Sequence, residues 1–460
     1  MYRYISLLLP LMMPLASWAT PERCTEWFDR QQQSLERERI HDAGSTRMVG
    51  HPHLRVDRWL AFLHSQVYDD VAATQWLHLA GDLARRDWQA ELMRLRGMDE
   101  TWQRVLDHCI EVLVDGTDFT GLPAPRIADA YNSWQRALGL YPVTRWLATP
   151  SIRRYHRDMS ARLQDRTPAP AMAFVPQVDP VAPPPPATLM DNPLRVPVPD
   201  RQARDKLLSH YAPILHIARI DEDNLPGQLR LNDGEPRVDP ASPVAYYWLS
   251  WTRFAGENLL QLNYQFWFAQ RPKDGLIDLY AGTLDSLIWR VTLNPDGSVL
   301  FYDSIHSCGC YHKVFPVDRR LQTAQMSGDQ PVFMQQPGPD ALETRIALSI
   351  EPDTHYLLGV HGDSRLAWPT ELPRASYALL HADQLRRLPD PVRNGFDSLY
   401  NHRGLVPESR RPERWLLWPL GVPSAGAMRQ PGQHATAFIG RRHFDDPRLA
   451  EEMFEQSGNL

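Results

Sequence analysis

Long apolar runs are missing from this chain once its first fifteen residues are passed. No later segment reaches the roughly 20 apolar residues that a membrane-spanning helix requires. An excess of basic residues is missing too: 49 Lys and Arg stand against 55 Asp and Glu, which argues against a nucleic-acid partner. Lysine itself occurs only at 206, 273 and 313, so nearly all positive charge is arginine, a bias of composition and not of a site. Catalytic signatures are equally scarce. There is no Gly-x-Ser-x-Gly elbow, no phosphate loop and no His-Glu-x-x-His. Cysteine appears four times in 460 residues, at 24, 109, 308 and 310.

The N-terminus supplies an address. One early Arg3, the apolar run Ile5–Leu15 and small residues at Ser17 and Ala19 form the pattern of a secretory signal peptide cleaved near Ala19. Cys24 lies five residues beyond that point, too far to be a lipid-anchoring cysteine. The expected location is therefore periplasmic or secreted, with no transmembrane anchor. In an oxidising compartment an even cysteine count favours disulfides, and Cys24–Cys109 with Cys308–Cys310 is the most economical pairing.

The chain divides by pattern. After a signal peptide over 1–19, residues 20–166 read as helical. Val56, Trp59, Leu60, Leu63 and Val67 repeat at helical spacing, as do Trp102, Val105, Leu106, Cys109 and Leu113. His51 and His53 fall in the loop between the first two helices. Residues 167–199 hold eleven prolines, four of them consecutive at 183–186, and read as a semi-rigid linker. From 200 to 460 strands dominate. Leu260, Leu262, Tyr264, Phe266 and Phe268 alternate with Gln261, Asn263 and Gln265, the period of a half-buried strand. Asn294-Pro-Asp-Gly297 predicts a hairpin turn, and further strands are expected near Trp415–Trp418 and Thr436–Gly440. Asp221–Asn224 reads as a turn. The expected fold is α+β multidomain: an N-terminal all-α helical bundle, then a mainly antiparallel, sandwich-like β domain.

The densest chemistry lies in His306-Ser-Cys308-Gly-Cys310-Tyr-His312, beyond the second strand of that hairpin. Four candidate ligands at every second position would share one face of an extended strand. Imidazole and thiolate suit zinc or copper, with His361 and His434 as distant partners. A Cys308–Cys310 bridge across Gly309 and thiol–disulfide exchange are the competing fates of the pair. Arg429 and Arg441 lie in an arginine-, histidine- and aromatic-rich C-terminal run suited to an anionic or sugar-like ligand. Gly362-Asp363-Ser364, after the apolar run Tyr356–Val360, resembles the nucleophile block of the Gly-Asp-Ser-Leu esterases over these few residues. That family's downstream Asp-x-x-His block has no counterpart in this chain, and the segment reads as a turn. The expectation is an exported protein with a zinc or copper site at the hairpin end, and metal-assisted hydrolysis as the chemistry such a site supplies. The alternative is a non-catalytic envelope protein that binds a small molecule, glycan or protein partner.

Overall fold

A computed structural model describes residues 20–162, 169–275, 278–326, 328–334, 345–362 and 372–456. The signal-peptide reading over 1–19 and the Gly-Asp-Ser motif at Asp363 and Ser364 lie outside the described residues.

The N-terminal segment contains α1 (Pro21–Glu38), the strand pair β1 (Thr46–Met48) and β2 (His51–Val56), α2 (Arg58–His64), α3 (Asp70–Leu92) and α4 (Trp102–Asp115). Asp57 and Asp69 start α2 and α3 by accepting the backbone N–H of Leu60 and Ala72 at 2.8 Å each. Cys24 on α1 and Cys109 on α4 form a disulfide within their shared core. The expected all-α bundle is corrected here. β1 and β2 pair antiparallel, and Leu54 and Val56 belong to the same apolar cluster as the helices. Pro52 and the β-branched Val56 suit an extended chain, and β2 buries its last four residues. His53, read as loop, is buried on β2 with Nε2 at 2.8 Å from Thr117 Oγ1. Nor do α5 (Ser133–Leu138) and α6 (Tyr141–Arg162) join this core. They lie against the C-terminal segment, where Arg136 donates to the carbonyls of Leu420 and Gly440.

The remainder forms one large sheet in place of a sandwich. Its strands are β3 (Met172–Pro176), β4 (Ile214–Ile217), β7 (Val244–Phe254), β8 (Glu257–Arg271), β9 (Gly282–Leu293), β10 (Val299–His306), β11 (Lys313–Pro316), β13 (Val332–Phe333), β14 (Ile346–Ile350), β15 (Leu357–Gly362) and β16 (Arg374–His381). Outside it stand three short pairs: β5 (Gln228–Asn232) with β6 (Glu235–Asp239), β12 (Leu321–Thr323) with β19 (Phe454–Gln456), and β17 (Leu388–Asp390) with β18 (Gly395–Asp397). The order across the sheet is 13-11-10-9-8-7-16-3-4-14-15. It is mixed: β7 through β11 run antiparallel, whereas β16 is parallel to both β7 and β3, and β4 is parallel to β14. The sheet curls until its two edge strands share one apolar cluster, Val332 with Tyr356 and Leu358, joined by Met159 of α6. Curling removes most of the exposed edge that a flat sheet would present.

The enclosed face carries Leu262, Tyr264, Phe266, Trp289, Val291, Phe315, Leu348 and Tyr377, plus Leu207 and Leu208 from α7 (Arg201–Tyr211). The predicted hairpin is present: the Asn294–Gly297 turn joins β9 to β10. Asp221 likewise caps a turn by accepting from Asn224 N–H. The polar residues alternating along β8 are buried, however. Gln261 donates to Thr292 Oγ1 at 3.1 Å, Asn263 to Ser250 Oγ at 2.9 Å and Gln265 to Ser307 Oγ at 2.7 Å. The N-terminal and C-terminal segments cover this second face, so these amides donate to protein groups in place of water, while Asn263 Oδ1 and Gln265 Oε1 have no protein partner.

The proline-rich stretch, described from residue 169, is more than a spacer. β3 lies inside the main sheet between β16 and β4, and Leu194 and Val196 are buried in the N-terminal core. Trp415–Leu417 is helical, not a strand, and Thr436–Gly440 is irregular. Among the described residues no helix is long and apolar enough to cross a membrane.

Candidate functional site

The strand β10 ends at His306, and the next four residues turn. Gly309 N–H donates to His306 O at 2.8 Å, and Gly309 and Tyr311 both adopt positive φ, +90° and +63°. A side chain at Gly309 is barred twice over, by that φ and by Ala435 O, which would lie 2.2 Å from a Cβ. The chain then returns as β11, with Lys313 opposite Ser304. This turn ends the period-two pattern and separates the four predicted ligands.

His306 stays on the enclosed face, where Asp285 Oδ1 stands 3.4 Å from its Nδ1. Asp285 also accepts from His355 Nδ1 at 2.8 Å. Burial opposes ionisation of Asp285, yet the two imidazoles outweigh it and hold the carboxyl well below its ordinary range. His312 lies on the opposite side of the sheet and donates from Nε2 to Asp303 Oδ2 at 3.0 Å. Asp303 is also gripped by Arg290 through Nε at 2.8 Å and Nη2 at 2.5 Å. Cys308 and Cys310 are free thiols in the turn. A hydrogen bond with Cys308, reinforced by burial, pushes the Cys310 thiol well above its ordinary value, which opposes formation of the thiolate that metals bind.

The distant candidates also disperse. His434 is buried and meets the Phe444 ring edge-on, as His312 does. His361 lies on β15 near His216, on a different part of the sheet. Arg429 donates to the carbonyls of Cys308 and Pro423, fastening the turn. Arg441 is paired with Asp129 and Ser133. Among the described residues no three His, Cys, Asp or Glu groups converge to hold a metal ion.

The structure gathers Cys310, Tyr311 and His312 in the wall of a cavity of about 480 Å³ beneath α6. Leu147, Ala148 and Ile152 of α6, with Leu416, Leu417, Leu420 and Phe438 opposite, make it largely apolar. Among its polar lining residues are His312, Glu413, Tyr155, Asp329, Thr436 and Arg442. Three buried polar atoms of these residues have no protein partner, His312 Nδ1, Tyr155 Oη and Asp329 Oδ1. Burial lowers His312 to about 4 against the pull of Asp303, so the ring is neutral at pH 7. With its Nε2 proton committed to Asp303, Nδ1 is left as an unprotonated, unpartnered acceptor. Burial raises Glu413 to about 7 against Arg411 and Arg271, so near neutrality it retains a proton to donate. The cavity wall thus carries an uncharged imidazole and a carboxyl that is part-protonated near neutrality, set among apolar side chains. Sequence periodicity does not reveal Glu413 or Tyr155, because neither stands near the hairpin turn in the chain.

Glu413 has a pH consequence. Its folded value lies above the ordinary 4.5, so folding favours the protonated form. The contribution is full below about pH 4.5 and is lost as pH rises through about 7. Glu413→Gln is expected to remove a stability decrease on the order of 3 kcal/mol across that window. Urea unfolding of both proteins at pH 5 and pH 8 checks this, and parallel pH profiles would refute it.

Comparison with family models, with curated proteins and with solved structures finds no match for this chain.

Proposed function

We propose that this protein acts outside the cytoplasm as a binding protein for an amphiphile with an uncharged, hydrogen-bonding head group. The cavity beneath α6 carries the reading: a largely apolar chamber of about 480 Å³ lined in part by buried His312, whose Nδ1 has no protein partner. That volume falls in the ordinary range for small-molecule sites, which combine apolar walls with a few placed polar groups. The tail lies along Leu147, Ile152 and Leu420, and the head accepts from Glu413 and donates to His312. The Cys24–Cys109 disulfide and the N-terminal leader pattern support an exported location.

The test is displacement of the neutral fluorophore N-phenyl-1-naphthylamine by a monoacylglycerol, with free glycerol as control. Saturable binding and displacement by the acylated compound alone are expected. Ile152→Trp, which fills the apolar end, should weaken binding about tenfold or more, equivalent to about 1.4 kcal/mol. His312→Phe should leave fluorophore binding and reduce the preference for the glyceride. Equal affinity in wild type and Ile152→Trp would sink the proposal.

A further inference from the structure

We infer that the outer face of α6, together with the neighbouring Trp415 and Leu416, docks on an anionic lipid bilayer. The role assigned to this docking, delivery of an amphiphile into the cavity, rests on the reading above.

The outward side of α6 is divided along its length. At 3.6 residues per turn Val143, Trp146, Leu147, Arg153, Arg154 and Arg157 share one side, opposite the inward Ala148, Ile152, Tyr155 and Met159. The first half of that side is apolar and open to solvent: Val143 is 55% exposed, Trp146 74% and Leu147 63%. Across the cavity mouth Trp415 is 71% and Leu416 66% exposed. Leu147 and Leu416 also line the cavity, so this apolar surface runs continuously from outside to inside. Isolated exposed apolar residues are ordinary, whereas exposed Leu147 and Leu416 at a cavity wall, each next in sequence to an exposed tryptophan, mark an interaction site.

Charge selects the occupant. The second half of the outward side is a row of exposed arginines, and within α6 only Asp158 is acidic, held 3.6 Å from Arg154. The chain as a whole has a formal charge of −6, so this basic row is a local feature and not general composition. Tryptophan settles at the bilayer interface, its ring apolar and its N–H wet. Arginines beside it pair with anionic head groups within a Debye length of the surface. A helix laid on the bilayer in this way brings the cavity mouth to the depth where acyl chains begin.

The experiment uses the full mature chain and two vesicle preparations, phosphatidylethanolamine with phosphatidylglycerol, and phosphatidylcholine alone. Co-sedimentation with the anionic vesicles is expected, falling at high salt, with at least tenfold weaker binding to phosphatidylcholine. Both W146E/L147E and R153E/R154E/R157E should reduce binding to anionic vesicles tenfold or more. All five positions are exposed, and circular dichroism confirms that the variants fold. No sedimentation, or equal sedimentation of both vesicle types, overturns the inference. So does a wild-type dimer that W146E/L147E dissociates without any vesicle binding, since the face would then meet a second copy. Fluorophore binding without vesicles separates the two readings. Normal binding by a protein that ignores vesicles rejects docking alone. Vesicle docking without fluorophore binding rejects the cavity reading and leaves docking in place.

Discussion

Asp303→Ala is expected to destabilise the protein by about 3–5 kcal/mol, the usual loss when one partner of a buried ion pair is removed. Asp303 is fully buried and accepts from Arg290 through two nitrogens and from His312. Burial raises the cost of its charge, but Arg290 and His312 more than offset this and hold the carboxyl below its ordinary range. Without Asp303 the Arg290 guanidinium keeps the Phe444 carbonyl at 2.5 Å and the Phe444 ring at 3.5 Å, neither of which neutralises it. A double variant, Asp303→Ala with Arg290→Met, should recover most of the loss, because no uncompensated charge remains. Urea unfolding measures both, and a loss below about 1 kcal/mol for the single variant would refute the account. The cavity should change as well. His312 loses the acceptor that fixes its ring, so glyceride preference falls even where the fold survives.

Glu91→Ala is the second large effect, again about 3–5 kcal/mol. Glu91 on α3 is fully buried and accepts from Arg55 at 2.5 Å, Arg47 at 2.8 Å and the backbone N–H of Asp42 at 3.0 Å. Arg55 is also fully buried, and after the change its nearest carboxylate among the described residues is Asp87 at 3.5 Å, with Asp42 farther off. The consequences reach beyond the N-terminal segment. Asp42 accepts from Arg386 and Gln430 at 2.7 Å each, so this network fastens the helices to the C-terminal half. Protease cleavage between the segments should accelerate along with the loss in unfolding free energy. Glu91→Gln, which keeps hydrogen bonding but not charge, should lie between the two. A Glu91→Ala protein as stable as wild type would show that Asp87 alone suffices.

Local periodicity carried further in some regions than in others. The stripes of α2 and α4 were legible because one-sided burial leaves a repeat of three to four residues. The β9–β10 hairpin was legible because Asp296-Gly297 tolerates the backbone that its turn requires. The β1–β2 pair was missed, being too short to show a period. The strand β3 was hidden in a proline-rich run that offers little ladder hydrogen bonding, yet Met172–Pro176 found room between β16 and β4. On β8 the alternation of Leu and Phe with Gln and Asn was plain, but alternation shows only that two faces differ. It does not say whether the polar face meets water or Thr292, Ser250 and Ser307.

The hairpin-end cluster shows the same boundary most sharply. Sequence alone determined that His306, Cys308, Cys310 and His312 lie close along the chain, and that Gly309 permits a turn between them. Tertiary structure decided that they face apart. The positive φ of Gly309 and Tyr311 reverses the chain, and the sheet then has two sides with a carboxylate on each. Asp285 holds His306 within the curl, and Asp303 holds His312 against the cavity. Groups that set the chemistry of these histidines come from other strands and segments: Asp285 beside His306, and Arg290 and Arg442 near His312. Which of them meet is fixed by strand order and by the curl of the sheet. Both arise from burying apolar surface across the whole molecule, which no local spacing of residues records.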